Sequence, residues 1–234
     1  MGSSHLPAGD LAVDYGTSNT VALIRSADGR VRQLLFDASP LLASAVYADR
    51  DGRLCAGRDA VRTARLDPTR YEPHPKRRID DRDVLLGMRT YPVVELIAAT
   101  LRLVRDEAVR TVGHVPGRVV LTHPASWGPV RRGVLAGACQ RAGLPDPVLV
   151  AEPVAAATYF AGLPETRLAP GQAVVVYDLG AGTFDASVVR WTGSGFEALA
   201  YRGLDDVGGL DVDALLVAHA GRGWLPGRRG RGSG

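Results

Sequence analysis

The sequence DLGAGTFD at residues 178–185 directly follows the apolar run Ala173–Tyr177. Its first aspartate ends a strand-like segment, two glycines and a threonine follow, and the chain enters another apolar run at Ala186–Val189. A related stretch, DYGTSNT at residues 14–20, also lies between two apolar segments near the N-terminus. An Asp-Gly loop therefore occurs twice in this sequence, each time between two segments typical of β-strands.

Both loops have the composition of a phosphate-binding site. Gly-rich turns let backbone N–H groups approach phosphate oxygens, and Thr and Ser hydroxyls add further donors. A carboxylate at the end of a strand can bind Mg²⁺ directly or through its waters. Each loop alone is also compatible with an ordinary hairpin in which Asp and Gly form the turn, but the recurrence favours a nucleotide clamp.

Two common phosphate-binding motifs are excluded. A P-loop requires G-x-x-x-x-G-K-[ST], but the single lysine, Lys76, follows Pro75 rather than a Gly-rich turn. A Rossmann fingerprint requires G-x-G-x-x-G, and here Asp185 occupies the position of the third glycine after Gly180 and Gly182. The segment that follows is strand-like, whereas the Rossmann motif requires a helix.

The two loops resemble the phosphate-1 and phosphate-2 motifs of the actin/Hsp70/sugar-kinase superfamily, and the sequence between them resembles the Hsp70 ATPase domain. VVLTHPASW at residues 119–127 is similar to that family's strand with V-P-A-x-[FW], and EPVAAA at 152–157 to its E-P-x-A-A-A connector. GGLDVD at residues 208–213 resembles its G-G-x-D-x-D signature. The motifs keep the family's order over residues 10–219. The resemblance implies an α/β, actin-like ATPase fold of the ribonuclease H-like type.

The resemblance also implies ATP or ADP and Mg²⁺ as cofactors, with a role for individual residues. Asp14 and Asp178 would hold the hydration shell of Mg²⁺, and Lys76 would place a positive charge beside the γ-phosphate and the attacking water. Glu152 would orient water near the metal, and Asp185 would activate the attacking water. The residues that would contact the phosphates, of which the last also belongs to the catalytic set, are Gly16, Thr17, Ser18, Gly180, Ala181, Gly182 and Thr183.

Three of these residues have alternatives. Lys76 is the single lysine among 28 basic residues, which suggests a need for a compact ammonium, but chance could also place one lysine there. Glu152 could instead be a carboxylate that stabilises the N-terminus of a helix beginning at Pro153, through the helix dipole. Ala181 replaces the middle glycine usual in the family, and its small side chain fits unless the residue needs a positive φ.

The family pattern predicts two lobes. Residues 1–165 would form lobe I, complete, as subdomain IA with a reduced subdomain IB inserted at about residues 39–91, and 166–220 would form a partial lobe IIA. The family continues with a helical subdomain and a third glycine-rich loop, which residues 221–234 do not resemble. We therefore expect a C-terminally truncated domain with a disordered Gly/Arg tail. Without those helices, the exposed apolar residues that need a partner would be Val174, Val176, Val188 and Leu199.

Hydrophobic periodicity and turn residues predict the secondary structure. Strands are expected at residues 11–14, 20–25, 31–35, 44–48, 53–55, 119–122, 148–150, 173–177, 186–189 and 196–201. Helices are expected at 57–66, 92–112, 129–142, 153–162 and 210–219, with a loop at 67–83.

Composition narrows the class of protein. The net charge is only +3, and no apolar run approaches the ~20 residues of a membrane span, so neither nucleic acid nor a membrane is an expected partner. With no targeting segment and no metal-like spacing at Cys55 or Cys139, we expect two buried thiols in a cytoplasmic protein. The expected partners are the nucleotide, and co-chaperones or another chain that covers the partial lobe.

Three hypotheses remain at the level of sequence. The first is an Hsp70-type chaperone ATPase domain that binds the phosphates of ATP with Mg²⁺. The second is a non-catalytic binding scaffold that kept the fold, and the third is a sugar-kinase-type phosphotransferase. The E-P-x-A-A-A connector and the context of Lys76 speak against the kinase. The early end of the sequence predicts weak or absent ATP turnover by this chain.

Overall fold

The computed structural model describes residues 9–204 and 207–222. The strands are β1 Asp10–Tyr15, β2 Asn19–Arg25, β3 Val31–Gln33, β4 Leu42–Ala43, β5 Val46–Ala48, β6 Leu54–Ala56, β7 Tyr71–Glu72, β8 Asp83–Leu86, β9 Arg89–Pro92, β10 Arg118–His123, β11 Pro147–Ala151, β12 Ala173–Leu179, β13 Phe184–Trp191 and β14 Phe196–Leu204. The helices are α1 Gly57–Thr63, α2 Val93–Val112, α3 Pro129–Arg141, α4 Glu152–Ala161 and α5 Gly209–Arg222.

The first sheet has the strand order β11-β10-β1-β2-β3, and β4 also pairs with β2. β1 is antiparallel to β2 and parallel to β10, so the first Asp-Gly loop leaves the sheet where β10 also ends. Because side chains alternate along a strand, Leu11, Val13 and Tyr15 are buried while Asp14 lies on the opposite, exposed face. The pleat therefore turns the carboxylate away from the core.

The core of the first sheet is formed with α2 and α3. Apolar residues at helical spacing on α2, including Ile97, Leu101 and Val104, are fully buried in this cluster. The helix ends at Val112, and the next residue, Gly113, is the C-cap and adopts the left-handed conformation with φ 84°. The buried apolar residues of β1 and β10 belong to the same cluster, so both strands pack on these helices.

The segment between β4 and α2 has a small core of its own. A sheet of order β6-β5-β7 and the hairpin β8–β9 pack on Leu96 and Ala99 of α2. The predicted loop at residues 67–83 is wrong in part, since it contains β7, the start of β8 and the 3₁₀ turns Pro68–Arg70 and Pro75–Arg78. Each 3₁₀ turn begins with proline, whose fixed φ suits a first helical position.

The second sheet is an antiparallel meander of order β12-β13-β14, and α4 packs against all three strands. The expected exposure of Val174, Val176 and Val188 is wrong, because all three are half-buried. The exposed residues of β12 are their neighbours Val175, Tyr177 and Leu179. Successive side chains of a strand point to opposite faces, so a shift of one residue exchanges the exposed set for the half-buried set. Leu199 on β14 is exposed, as expected.

The last described element is α5, which begins one residue before the predicted helix and ends at Arg222. The expected disordered tail at residues 221–234 is wrong at its first two residues, which belong to α5, and residues 223–234 lie outside the described residues. Within the described ranges, no helix combines the length and the apolar character needed to cross a membrane. Cys55 and Cys139 are both free thiols. The expectation that both are buried is correct for Cys139 and wrong for Cys55, which is half-buried.

Candidate functional site

The two Asp-Gly loops border one cavity of about 490 Å³ between the two sheets. Most of the predicted site residues line it. These are Asp14, Gly16, Thr17, Ser18, Lys76, Glu152, Asp178, Gly180, Ala181 and Thr183. The predicted residues Gly182 and Asp185 do not line it. The sequence did not indicate the lining residues Asn19, Thr122, Ala155 and Ala156.

Each loop is closed by the same kind of backbone hydrogen bond, from a glycine to the residue three positions later. In the first, the N–H of Gly16 donates to the carbonyl of Asn19 at 3.1 Å; in the second, the N–H of Gly180 donates to the carbonyl of Thr183 at 2.9 Å. Both loops close antiparallel hairpins, β1–β2 and β12–β13. The hairpin and phosphate-loop interpretations of the sequence are therefore compatible, because each turn lies at the mouth of the shared cavity.

Gly16 is needed because its turn is tight. A Cβ on Gly16 would overlap the carbonyl oxygen of Asn19, so the backbone would have to move. We expect Gly16→Ala to lower the free energy of unfolding by about 1–3 kcal/mol in urea denaturation. Gly133→Ala in α3 is the matched control: no atom lies within 4 Å of a Cβ at that position, so alanine should stabilise the helix by up to ~1 kcal/mol. Equal effects of both substitutions would contradict this explanation.

The alanine in the second loop is accommodated. Among the described residues, the only non-glycine positions with positive φ are Asp37 and Ala38, so Ala181 has the backbone conformation of an ordinary residue. Gly182 is more constrained, because a Cβ there would lie 2.7 Å from Oγ1 and 2.9 Å from Cγ2 of Thr17. The two loops thus touch directly at Gly182 and Thr17.

Asp14 and Asp178 face the cavity from opposite loops. Thr122 at the end of β10 donates its hydroxyl to Oδ1 of Asp14 at 2.6 Å. Burial raises the pKa of Asp178, the negative charge of Asp14 raises it further, and Lys76 opposes both effects. A divalent cation would relieve this repulsion, so the pair fits Mg²⁺, which binds few carboxylates and keeps several waters. Among the described side chains, no group of three or more His, Cys, Asp or Glu is arranged to hold a metal.

Lys76 and Glu152 form a buried ion pair between the loops. The Lys76 Nζ donates to Glu152 Oε1 at 2.9 Å, with the side chains 10% and 16% exposed. The ammonium also lies 5.5 Å from the centre of the Trp127 ring, where a cation–π attraction operates. Burial raises the pKa of Glu152, the charge of Lys76 lowers it, and Asp14 and Asp178 raise it. Glu152 is also the first residue of α4, so its negative charge interacts favourably with the helix dipole while it pairs with Lys76.

Asp185 is buried in the second sheet, where it pairs in register with Asp178. It packs closely on Gly203 of β14, where a Cβ would overlap its Oδ1 atom. The structure therefore places this carboxylate beside the metal-binding candidate rather than on the cavity wall. Its assignment to water activation stays a prediction.

Thr122 and Arg77 were not among the predicted site residues. Thr122 is a hydroxyl residue at the carboxyl end of a strand, a signal that the sequence contains, but its partner Asp14 is 108 residues away. Arg77 follows Lys76 directly, and its guanidinium reaches the second loop at the carbonyl of Gly182. Both contacts join segments distant in sequence, which a local pattern does not reveal.

Comparison with known proteins identifies the family. The model of the family described as Hsp70 protein matches residues 77–224, more than half of the chain. The chain is 32% identical to the chaperone protein DnaK of Halobacterium salinarum over 212 residues, which is 89% of this chain and 33% of that protein. It is 31% identical to DnaK of Thermotoga neapolitana over 209 residues, 88% of this chain and 35% of that protein.

A third relative matches a shorter part of the chain. Over 127 residues, or 54% of this chain and 20% of the relative, it is 38% identical to the chaperone protein HscA homolog of Acinetobacter baumannii. The chain spans about a third of the length of the DnaK relatives. Its mixed α/β architecture is consistent with an actin-like ATPase domain, and the chain belongs to the Hsp70 family.

Proposed function

We propose that this chain binds ATP and ADP with Mg²⁺ in the cavity between the Asp-Gly loops and that the same site supports ATP hydrolysis. The observation that carries the proposal is the pair of equivalent hairpin loops, in contact at Gly182 and Thr17, with the Lys76–Glu152 ion pair beside them. Phosphoryl transfer to water depends mainly on positioning and on neutralisation of charge. This arrangement can provide both.

Each group has a chemical task in this proposal. Backbone N–H groups of the loops and the hydroxyls of Thr17, Ser18 and Thr183 would donate to phosphate oxygens. Asp14 and Asp178 would hold Mg²⁺, which neutralises phosphate charge when bound. Lys76 and Glu152 lie beside the loops.

Lys76 would stabilise the negative charge of the phosphoryl group being transferred, because its ammonium is desolvated and held by Glu152. The second oxygen of the Glu152 carboxylate would accept a hydrogen bond from water. Asp185 is proposed, from the family resemblance, to act on the attacking water. Thr183 would contribute both a phosphate contact and the closing carbonyl of the second loop.

A non-catalytic nucleotide-binding scaffold is the second candidate. One observation favours it: Asp185, the residue proposed to activate water, lies outside the cavity wall. In that case the phosphates and Mg²⁺ would bind at the same loops and turnover would be absent. Binding and hydrolysis therefore have to be measured separately.

Removal of a metal-binding carboxylate tests the proposed site. We expect calorimetric titration to show Mg-ATP binding by the unmodified chain, with affinity at least about 10-fold lower in Asp14→Asn or in excess chelator, because phosphate charge then lacks its counterion. Asp28→Asn, in an exposed turn, is the control. Binding that is equal in Asp14→Asn and Asp28→Asn would overturn the site. A phosphate-release assay then separates the ATPase from the scaffold.

The wider assignments follow from the family. We propose that residues 1–165 are lobe I with the inserted subdomain IB, that 166–220 belong to lobe IIA, and that the protein acts in the cytoplasm. DnaK and HscA are chaperone proteins by name, so we propose that this chain provides the ATPase part of a chaperone. The exposed apolar face at Val175, Tyr177 and Leu179 is the proposed contact for another protein segment.

A further inference from the structure

Arg77 joins two parts of the chain that are far apart in sequence. Its Nη2 donates to Oδ2 of Asp211 at 2.7 Å and to the carbonyl oxygen of Gly182 at 3.1 Å. Arg77 lies on the 3₁₀ turn Pro75–Arg78, Gly182 is in the second Asp-Gly loop, and Asp211 is in the first turn of α5. One guanidinium thus connects the 3₁₀ turn to the second Asp-Gly loop and to α5.

The start of α5 supports the second loop from behind. The N–H of Gly209 donates to the carbonyl of Gly180, and the N–H of Leu210 donates to that of Ala181, both at 2.9 Å. Gly208 has to be glycine, since a Cβ there would lie 2.5 Å from the carbonyl oxygen of Ala181. The backbone of the loop therefore rests on the backbone of the helix start.

Asp211 bonds both to the backbone before α5 and to Arg77. Its Oδ2 atom accepts the N–H of Gly208 at 2.8 Å, which satisfies a backbone donor before α5, and the same atom accepts from Arg77. The hydrogen bond from Arg77 holds the pKa of Asp211 below its ordinary range. The carboxylate consequently remains charged and available to Arg77 at neutral pH.

Adjacent residues of the 3₁₀ turn reach different elements. Lys76 donates to Glu152 on α4, while Arg77 reaches Gly182 and Asp211. The Nε atom of Arg77 would also be 3.1 Å from a Cβ on Gly182, so the guanidinium contacts the loop at the point where the loop meets Thr17. A shift of Arg77 would therefore alter the contact between the two loops at Gly182 and Thr17.

We propose that Arg77 is a positioning residue that, through Asp211 and the Gly182 carbonyl, fixes the second Asp-Gly loop against the first. The proposal rests on the proposed function insofar as the loops bind phosphates. The side chains of Arg77 and Asp211 are 33% and 37% exposed, so the ion pair contributes little to global stability. Its effect falls on local opening of the loop instead.

Amide hydrogen exchange of the nucleotide-free chain tests the positioning directly. In Arg77→Gln, we expect exchange of the amides of Gly180, Gly209 and Leu210 to be about 10-fold faster, because loop and helix start separate more often. Arg190→Gln is the matched control, since Arg190 pairs with Glu197 within the second sheet and does not leave it. Equal exchange in the two variants would overturn the proposal.

Two further variants separate geometry from charge. Arg77→Lys keeps the charge but loses the planar fork that serves two acceptors, so we expect exchange between that of the unmodified chain and that of Arg77→Gln. The charge-swapped double variant Arg77→Asp with Asp211→Arg should restore part of the protection from hydrogen exchange that either single substitution removes. Additive loss of protection in the double variant would contradict a direct pairing.

The nucleotide arm measures the consequence for the site. We expect Arg77→Gln to weaken binding of Mg-ADP by about 10-fold, with the urea midpoint of the variant unchanged. Unchanged affinity alongside faster exchange would overturn the link between this contact and phosphate binding. If the unmodified chain binds no Mg-ADP, the proposed function fails, and the exchange measurements decide the positioning of the loop by themselves.

Discussion

Lys76→Ala is expected to lower the free energy of unfolding of the nucleotide-free chain by about 3 kcal/mol at pH 8, measured by urea denaturation. The physical reason is that Glu152 is then left as a buried carboxylate without its cation, which is strongly unfavourable. The neighbouring charges of Asp14 and Asp178 add to the penalty because both raise the pKa of Glu152. Lys76 is therefore a structural element of the site as well as a candidate for its chemistry.

A second substitution provides the control. Adding Glu152→Gln to Lys76→Ala removes the unpaired charge, so the double variant should recover most of the lost stability. The penalty should also depend on pH. Without Lys76, burial keeps the pKa of Glu152 above its value in the unfolded chain, so the folded state holds the proton more tightly. Stability should accordingly fall as pH rises from the ordinary pKa of glutamate through the raised one.

Turnover gives an independent measure of the same residue. If the chain hydrolyses ATP as proposed, loss of a desolvated cation beside the phosphoryl group should lower the rate of phosphate release by about 100-fold or more. The rate of the double variant is best compared with that of Glu152→Gln alone, which lacks the same carboxylate but keeps Lys76. Equal turnover in these two variants would show that Lys76 acts only through folding.

Leu101→Ala is expected to destabilise the chain by about 2–5 kcal/mol, because it opens a cavity in the core between α2 and the first sheet. Leu101 is 0% exposed, and it belongs to the same cluster as Leu11, Val13 and Tyr15 of β1. The change should therefore also loosen the strand that carries Asp14.

Leu66→Ala is the matched control for the core, since Leu66 is 83% exposed and should change stability by no more than about 0.5 kcal/mol. Urea denaturation of both variants measures the difference. A loss below about 1 kcal/mol in Leu101→Ala would mean that the core around α2 collapses to fill the space, contrary to the close packing described above.

Local patterns in the sequence predicted much of the fold. The apolar face of α2 and the Asp-Gly turns depend on residues within a few positions of each other, so their elements were found with small shifts at the ends. The sequence predicts a loop at residues 67–83 because the segment is rich in Pro, Arg and Asp, although it contains the two-residue strand β7. Two-residue strands are stabilised by their partners, here β5, rather than by their own sequence.

The candidate site was predicted from a combination of turn chemistry and family resemblance. Turn chemistry is local, which is why Gly16 and Gly180 were found in equivalent hairpins. The position of Asp185 outside the cavity wall was not predicted. Which face of the second sheet is exposed was predicted wrongly for β12, since a strand with valines at three successive positions has no alternation from which to identify its buried face.

The two Asp-Gly hairpins and the motifs of the Hsp70 family can be identified from the sequence, because turn residues and motif order are properties of short segments. The contact of Lys76 with Glu152, 76 residues away, and that of Arg77 with Asp211, 134 residues away, are visible only in the folded chain. Such pairs form when strand register and helix packing bring distant segments together, and that packing depends on the whole core rather than on either segment.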